Sequence, residues 1–369
     1  MEHIKRAEVL YHGRKVGRVA LAEDGKYVFQ YNEKWLADGF SISPLKMPLN
    51  DSIFVENKLD FDGMFGVFAD SLPDGWGRLL VDRMLRAQGV DPHEINQIER
   101  LCIVGTSGMG ALEYIPEIMK TEISEYTELS KLSDICMDIL AEKDVAPQEG
   151  LEELFKREGS SGGTRPKVIL HADGKEYLVK FPAAGDSIKI GEQEESYMMC
   201  ASACGIDVPD HRLFESGGRK FFGSVRFDRK DEIKIHMVTV SGLFETTHRL
   251  PDLDYADLLK LTDYLTKDNK QIEEMIRRMC FNSYAHNWDD HSKNFTYLFD
   301  EKTMRWSLSP AYDLTYSYST GGERATTING NGRIPSFEDL YKVSAPYGFT
   351  KTEVKRIAEE IEAATLRLI

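Results

Sequence analysis

The stretch that decides the fold is a polar loop in the C-terminal third of the chain, Ala285-His286-Asn287-Trp288-Asp289-Asp290-His291-Ser292-Lys293-Asn294-Phe295. Asp289 and Asn294 are five residues apart. A carboxylate can take the proton of an attacking hydroxyl, and an amide oxygen can bind Mg²⁺. Asn and Asp are also common in turns and caps, but this density of functional groups between two apolar segments favours a catalytic loop.

A second acidic residue, Asp313, follows Asn294 by nineteen residues in Leu308-Ser309-Pro310-Ala311-Tyr312-Asp313-Leu314, which we interpret as a short strand ending in the acid. Magnesium is held by one or two protein oxygens together with phosphate oxygens and water. Asn294 and Asp313 could supply both protein ligands. The spacing of Asp289 and Asn294 matches the kinase pattern H-R-D-x-x-x-x-N, and the later acid matches the metal-binding Asp of kinases.

Two upstream segments offer phosphate-binding groups. Residues 159–167 form a Gly/Ser loop that runs into a strand, and glycine lets backbone N–H groups approach phosphate oxygens. The same composition is typical of a flexible linker. Lys180 lies in the next apolar strand, where it could bridge phosphates and be held by Glu194 or Glu195 on the following helix. A lysine at a strand edge can also simply extend its amine to solvent.

The order of predicted elements indicates an α+β chain with a two-lobed, protein-kinase-like fold behind a small accessory domain. Three alternating apolar segments over residues 8–31 predict a β-meander, followed by a helix pair over 61–89 and a returning strand over 111–115. The predicted parts are an accessory domain at 1–120, a helical connector at 121–157, a mixed β/α lobe at 158–245 and a helical lobe at 246–369.

The accessory domain is expected to serve regulation or substrate presentation and to make no phosphate contact. Its glycine loop at residues 105–110 is a weaker candidate phosphate site. A tight turn before a strand is the favoured interpretation, because no lysine or acid of the predicted magnesium site lies near it in the sequence.

Composition excludes several classes of protein. The chain has 369 residues with 41% hydrophobic and 29% charged residues, which is typical of folded globular proteins rather than collagen-like or disordered chains. Its net charge of −15 counts against nucleic acid as a sole ligand. Five scattered cysteines fit reduced thiols. No apolar run reaches the ~18–20 residues of a membrane span, so we expect a cytoplasmic protein with no membrane partner.

Four ordered motifs then make a family resemblance specific, and they lie at residues 160–167 (Ser-Ser-Gly-Gly-Thr-Arg-Pro-Lys), 178–182 (Leu-Val-Lys-Phe-Pro), 289–295 (Asp-Asp-His-Ser-Lys-Asn-Phe) and 310–314 (Pro-Ala-Tyr-Asp-Leu). Together they resemble the HipA-type serine/threonine kinases, the toxin components of bacterial toxin–antitoxin pairs. Residues 72–78, Leu-Pro-Asp-Gly-Trp-Gly-Arg, resemble the family's accessory N-terminal domain. The resemblance therefore covers nearly the whole chain.

The resemblance implies a role for each matching residue. Asp289 would be the catalytic base, Asn294 and Asp313 the magnesium ligands, and Lys180 the phosphate-binding lysine. Of the two acids that could pair with that lysine, we expect Glu194. Nucleotide contacts would come from Gly162, Gly163, Thr164, Arg165, Lys167, Lys180, Val225, Phe227, His291 and Tyr312, with the segment around Arg226 meeting the adenine through its backbone. Ser160 would be autophosphorylated and so inactivate the enzyme, with the adjacent Ser161 as the competing acceptor.

The same resemblance implies ATP and Mg²⁺ as cofactors, a small DNA-binding antitoxin of the HipB type as partner, and DNA contact only through that antitoxin. The substrate would be another protein, which in the family can be an aminoacyl-tRNA synthetase. Two alternatives stay open: a small-molecule phosphotransferase of similar design, and an inactive module that only binds an antitoxin. A metal-dependent hydrolase using Asp289, Asp290 and His291 is weaker, since no further His-rich motif completes a metal site.

Overall fold

The structure is a computed structural model that describes residues 3–119, 128–141, 154, 163–231, 233–247, 252–318 and 321–368. The chain divides into two compact units. The first contains Met1–Glu192, Arg212–Val238 and Gly242–Glu245, and the second contains Gln193–His211, Thr239–Ser241 and Thr246–Ile369. Within the described ranges no helix is both long and apolar enough to span a membrane.

The described strands are, in chain order, β1 Arg6–Tyr11, β2 Arg14–Leu21, β3 Tyr27–Tyr31, β4 Phe54–Val55, β5 Leu112–Ile115, β6 Lys167–Ala172, β7 Lys175–Lys180, β8 His211–Ser216, β9 Arg219–Val225, β10 Arg229–Lys230, β11 Ile233–Lys234, β12 His236–Thr239, β13 Leu253–Asp254, β14 Thr296–Asp300, β15 Arg305–Leu308 and β16 Thr326–Thr327.

The described α-helices are α1 Glu33–Asp38, α2 Gly66–Ala69, α3 Gly75–Ala87, α4 Gln97–Val104, α5 Leu129–Leu140, α6 Ile190–Ala203, α7 Val240–Phe244, α8 Tyr255–Thr266, α9 Asn269–Tyr284, α10 Phe337–Ser344 and α11 Lys351–Thr365. Short 3₁₀ turns lie at Asp60–Gly63, Ser292–Asn294 and Ala345–Tyr347.

A five-stranded sheet opens the first unit, with the order β4-β3-β2-β1-β5. Its strands pair in antiparallel fashion, which confirms the meander and the returning strand predicted from the sequence. The two tight turns of the meander require left-handed backbone, and Gly13 and Gly25 adopt φ of 74° and 83° there. Alternate side chains of β1 and β3 are buried, as expected for strands with one face on a core.

A second sheet in this unit, β6-β7-β9-β8, carries the predicted phosphate-binding lysines. Helices α3 and α5 pack with β6, β7 and β9 in one apolar core. Its members include Trp76, Leu80, Met84, Leu132, Ile139, Val168, Val179, Phe181 and Phe221. Burying each large apolar side chain contributes about 1.5–3 kcal/mol before the entropy of ordering is subtracted. Part of the predicted accessory domain and part of the predicted connector therefore stabilise the lysine-bearing sheet.

In the second unit, helices α8, α9, α10 and α11 pack together. Two side-chain caps fix where the first two begin: Asp254 accepts from the Ala256 N–H at the start of α8, and Asp268 accepts from the Lys270 N–H at the start of α9. These caps satisfy backbone donors that have no partner inside the helix. Helix α9 ends at Tyr284, immediately before the predicted catalytic loop.

Two sequence interpretations of this unit are wrong. The predicted helical lobe at 246–369 is not helical throughout, because β14 and β15 form an antiparallel hairpin. Tyr297 and Phe299 in β14 are buried with the period of two that a strand requires. The strand expected to end at Asp313 ends at Leu308. Pro310 lacks an N–H for further pairing, and Asp313 instead has a left-handed φ of 53° in a loop.

Candidate active site

The end of helix α9 sets the start of the predicted catalytic loop. The Ala285 N–H donates to the Phe281 carbonyl at 2.8 Å, closing the last turn. His286 then adopts a left-handed φ of 54°, which histidine tolerates better than most side chains. The loop continues from there into the 3₁₀ turn Ser292–Asn294. A rigid helix terminus therefore fixes where the loop leaves the core.

Asp289 and Asn294 lie together, as their spacing predicts. The Asn294 side-chain amide donates to the Asp289 carbonyl at 2.8 Å, and the His291 N–H donates to the same oxygen at 2.9 Å. Because the Asn294 nitrogen is engaged within the loop, its amide oxygen is the atom of metal-ligand type. The Asp289 residue is exposed, so a substrate hydroxyl can reach it.

Asp313 is tied to this loop by a residue that sequence reasoning missed. The Asn287 side-chain amide donates to the Asp313 carbonyl at 3.0 Å and to Asn282 Oδ1 at 3.1 Å, and Asn287 is only 2% exposed. Its own Oδ1 accepts from the Ser317 hydroxyl at 3.0 Å. Asn287 thus joins helix α9, the catalytic loop and the segment carrying the predicted metal-binding acid. No spacing rule identifies it, because Asn is frequent in loops for other reasons.

Ser317 adds a second link between the same two segments. Its hydroxyl oxygen accepts from the Trp288 and Asp289 N–H groups, both at 2.8 Å. Its own N–H donates to the His286 carbonyl at 3.1 Å. The backbone of the predicted base is therefore fixed by a side chain that follows Asp313 by only four residues.

Asp290 has a different environment from the adjacent Asp289. It is fully buried, accepts from the Tyr255 hydroxyl at 2.9 Å and from the Thr326 N–H at 3.1 Å, and so anchors the loop to β16. Burial raises the pKa of Asp290 to about 7, although the nearby charge of Arg324 and the donated hydrogen bonds act in the opposite direction. The two adjacent aspartates therefore differ in environment, since Asp289 is exposed and Asp290 is buried.

His291 and Tyr312 support the loop from either side. The His291 ring accepts from the Lys293 N–H at 3.3 Å and caps the 3₁₀ turn. The Tyr312 hydroxyl donates to the Lys293 carbonyl at 2.6 Å and also lies 2.6 Å from the Thr296 hydroxyl. These contacts place both rings beside the catalytic loop, and their predicted contact with nucleotide stays a prediction.

Lys167 and Lys180 are directly opposite each other in the antiparallel register of β6 and β7. Opposed residues project from the same face of a sheet, so the two ammonium groups share one side. Lys167 is only 4% exposed, and the Lys180 Nζ lies 5.8 Å from the centre of the Phe222 ring. Two positive charges on one face of a sheet are of the type that binds a polyanion, and binding of nucleotide phosphate by this pair stays a prediction.

The predicted phosphate loop is described from Gly163 onward, and Ser160, Ser161 and Gly162 lie outside the described residues. The Gly163 N–H donates to Asp74 Oδ1 at 2.5 Å, and the Gly163 carbonyl accepts from the Trp76 N–H at 3.1 Å. Glycine is required twice here. Gly163 has φ of 98°, and a Cβ on Gly75 would lie 2.5 Å from the Gly163 oxygen.

Arg165, at the end of the predicted phosphate loop, is held by an ion pair. Arg165 forms a two-pronged ion pair with Asp186, at 3.1 and 3.0 Å, whereas Thr164 is exposed. The Asp186 carboxylate also accepts from the Ala183 N–H at 2.8 Å. Arg165 therefore stiffens the base of the loop.

The segment predicted to meet adenine is fixed by a buried ion network. Arg226 and Arg229 both pair with Asp228 at 2.8 Å. Burial alone would raise the pKa of Asp228, but the two guanidinium charges and the hydrogen bonds from Arg226 and the Gly110 N–H lower it to about 2. This network holds the backbone around Val225 and Phe227.

The same ion network also binds backbone atoms of the glycine loop at residues 105–110. The Gly110 N–H donates to Asp228 Oδ2 at 2.8 Å, and the Gly108 carbonyl accepts from Arg229 at 2.9 Å. These polar atoms of the loop bond to protein side chains, which supports a structural turn over a phosphate site.

The two acids predicted as partners of Lys180 have different surroundings. Glu195 bonds to the His211 ring nitrogen at 2.9 Å, while Glu194 is buried. Both acids belong to the second unit, and Lys180 belongs to the first. Pairing of Glu194 with Lys180 stays a prediction.

Comparison with known proteins decides the family. The model of the HipA-like C-terminal domain matches residues 159–368, and that of the HipA N-terminal domain matches residues 7–115. The chain belongs to the HipA family. Two relatives come from Sinorhizobium fredii (strain NBRC 101917 / NGR234): "Putative kinase Y4mE" is 26% identical over 83% of this chain and 76% of its own length, and "Putative kinase Y4dM" is 29% identical over 46% and 44%. The chain thus spans less than half of Y4dM.

The fold of this HipA family member has a solved counterpart. HipA of Shewanella oneidensis MR-1, determined in complex with HipB and operator DNA, superimposes with a TM-score of 0.73 over 98% of this chain and 91% of that chain, at 17% sequence identity. The match confirms the mixed α+β fold predicted from the sequence.

Asp290→Asn should change how stability depends on pH. A carboxyl whose pKa is higher in the folded state stabilises the fold while protonated, so its contribution is complete below pH ~4 and is lost as pH rises to about 7. Across that window the wild type should lose up to about 1.4 kcal/mol per pH unit from this group. Urea unfolding should show that the free energy of unfolding falls less between pH 5 and pH 7 in Asp290→Asn than in the wild type. Asp263→Asn on α8 is the matched control. Equal slopes in all three proteins would contradict the assignment.

Asp74→Ala should weaken ATP binding without unfolding the protein. It removes a charge-assisted hydrogen bond to Gly163, worth about 1.5–3 kcal/mol, so the phosphate loop loses a contact that orders its end. By calorimetry we expect Asp74→Ala to bind ATP roughly tenfold more weakly than the wild type. Asp74→Asn should keep part of the ATP affinity, and the exposed control Asp38→Ala should keep all of it. ATP affinity in Asp74→Ala equal to that of the control would refute the role.

Proposed function

We propose that this HipA family member is an ATP- and Mg²⁺-dependent serine/threonine protein kinase and the growth-inhibiting toxin of a toxin–antitoxin pair in the cytoplasm. The single observation that carries the proposal is the fixed geometry around Asn287 and Ser317. These two side chains hold the Asp289–Asn294 loop against the Asp313 segment. A base and two oxygen ligands on two tied segments are what phosphoryl transfer to a hydroxyl needs.

The residues of each unit fit the two cofactors. Asn294 and Asp313 offer the amide and carboxylate oxygens that Mg²⁺ prefers, and Lys167 with Lys180 offers paired positive charge for phosphates. ATP with Mg²⁺ supplies the phosphoryl group when bound. Asp289 orients the substrate hydroxyl and accepts its proton, while its backbone N–H remains fixed on Ser317.

The family supports a partner as well as an activity. Because the Shewanella oneidensis HipA was solved with HipB and operator DNA, we include a HipB-like antitoxin as the partner of this chain, with DNA contacted through that antitoxin. The chain's own net charge of −15 agrees with an indirect DNA contact.

Asp289→Asn should abolish phosphoryl transfer and leave the fold and ATP affinity nearly unchanged. The substitution removes the proton acceptor but none of the proposed phosphate or metal ligands, so the loss should fall on kcat. Transfer of labelled phosphate from ATP to the chain itself and to lysate proteins measures the effect, with Asp263→Asn as a surface control. Transfer at the wild-type rate would disprove the role of Asp289. Transfer to a small alcohol but to no protein would favour the small-molecule phosphotransferase.

Ser160 should become phosphorylated when the wild-type protein is incubated with ATP and Mg²⁺. A phosphate adds about −1.5 to −2 charges at pH 7 to a loop that must accept the phosphates of ATP, so the modified protein should bind ATP much more weakly. Peptide mapping by mass spectrometry distinguishes Ser160 from Ser161, and Ser160→Ala should remain active for longer. A phosphorylated form with unchanged ATP affinity would exclude this mode of inactivation.

A further inference from the structure

Four aromatic rings form a row on the surface of the second unit beside the proposed base. In spatial order they are Tyr316, His286, Trp288 and Tyr318, with successive ring centres 6.5, 6.1 and 6.0 Å apart and planes within 26–28° of parallel. Tyr316 and Tyr318 are 47% and 70% exposed. Rings that serve a core are buried, so a stacked row left open to solvent marks a binding surface.

The row is held on the same backbone as the catalytic loop. Ser317, between the two tyrosines in sequence, accepts from the Trp288 and Asp289 N–H groups and donates its own N–H to the His286 carbonyl. All four rings therefore belong to the two segments that Ser317 joins. Their position relative to Asp289 is fixed by hydrogen bonds.

We propose that this row binds the polypeptide segment flanking the phosphoacceptor serine or threonine, and that it selects an arginine close to the acceptor. The inference rests on the proposed kinase function and names the substrate class of that site. Once an acceptor hydroxyl reaches Asp289, each further residue of an extended substrate advances about 3.3 Å, so neighbouring side chains reach rings that begin at the adjacent Trp288.

The chemistry of the rings and the net charge of the chain favour arginine over other planar side chains. Aromatic faces are electronegative, and a guanidinium group both stacks on them and is attracted to their π-systems. The chain as a whole carries a net charge of −15, which attracts cationic segments during encounter. Glutamate at the same substrate positions would be repelled by the electronegative ring faces and by the net negative charge of the chain.

The test uses synthetic peptides with one serine among alanines and glycines. Four peptides are compared. Within three residues of the serine, one peptide carries two arginines, one carries two glutamates, one carries two phenylalanines, and one carries only alanine and glycine. Phosphorylation by the wild type is compared with Tyr318→Ala, with the ring-retaining Tyr318→Phe and with Tyr264→Ala, an exposed tyrosine on α8 of the same unit. Values of kcat and KM are measured separately for each pair.

The wild type should prefer the arginine peptides about tenfold in kcat/KM, as expected for cation–π contacts. Tyr318→Ala should reduce that preference about fivefold, mainly through KM, while Tyr318→Phe and Tyr264→Ala keep it. An unchanged preference in Tyr318→Ala, or a wild type that prefers phenylalanine or glutamate peptides, would overturn the inference and leave the kinase proposal standing. Absence of phosphorylation on every peptide and on the chain itself would instead overturn the proposed function, and this inference with it.

Discussion

The buried side chain of Asn287 is the contact on which the proposed catalytic centre depends. It satisfies the Asp313 carbonyl, Asn282 Oδ1 and the Ser317 hydroxyl at once. Loss of a buried partner leaves polar groups without hydrogen bonds, at a cost of about 1–3 kcal/mol. The greater effect would be geometric, because Asp313 has a left-handed φ and needs surrounding contacts to stay in that conformation. The Asn287 side chain thus sets the position of the Asp313 segment relative to the predicted catalytic loop.

A comparable constraint operates in the first unit. Helix α3 shares a core with the strands that carry Lys167 and Lys180, and the two residues around its first turn, Asp74 and Trp76, bond to both polar backbone atoms of Gly163. The N-terminal part of the chain therefore fixes the position of Gly163, at the described end of the predicted phosphate loop. This dependence gives a physical reason for the N-terminal domain and the lysine-bearing sheet to occur in one chain.

Much of this architecture could be predicted from the sequence. Period-two patterns with Gly at the turns predicted the meander, and the spacing of Asp289 and Asn294 predicted their proximity. The hairpin after Asn294 was missed because its strands are short and follow long helical patterns. The burial of Asp290 could not be predicted from the sequence, because it depends on Tyr255 and Thr326, which are distant in sequence. The roles of Asn287 and Ser317 were missed for the same reason, since their partners include residues distant in sequence. Asp74 lies in the 72–78 motif, but that motif does not indicate its contact with Gly163.

Asn294 and Asp313 are proposed to form one metal-binding pair across the two segments that Asn287 and Ser317 join. A crystal structure of the protein with Mg²⁺ and a non-hydrolysable ATP analogue tests it most directly. We predict a metal ion with the Asn294 amide oxygen and an Asp313 carboxylate oxygen as ligands, at about 2.0–2.1 Å, and phosphate oxygens of the analogue bound to the same ion. A metal bound through other side chains, with Asn294 and Asp313 both outside its coordination sphere, would contradict the account.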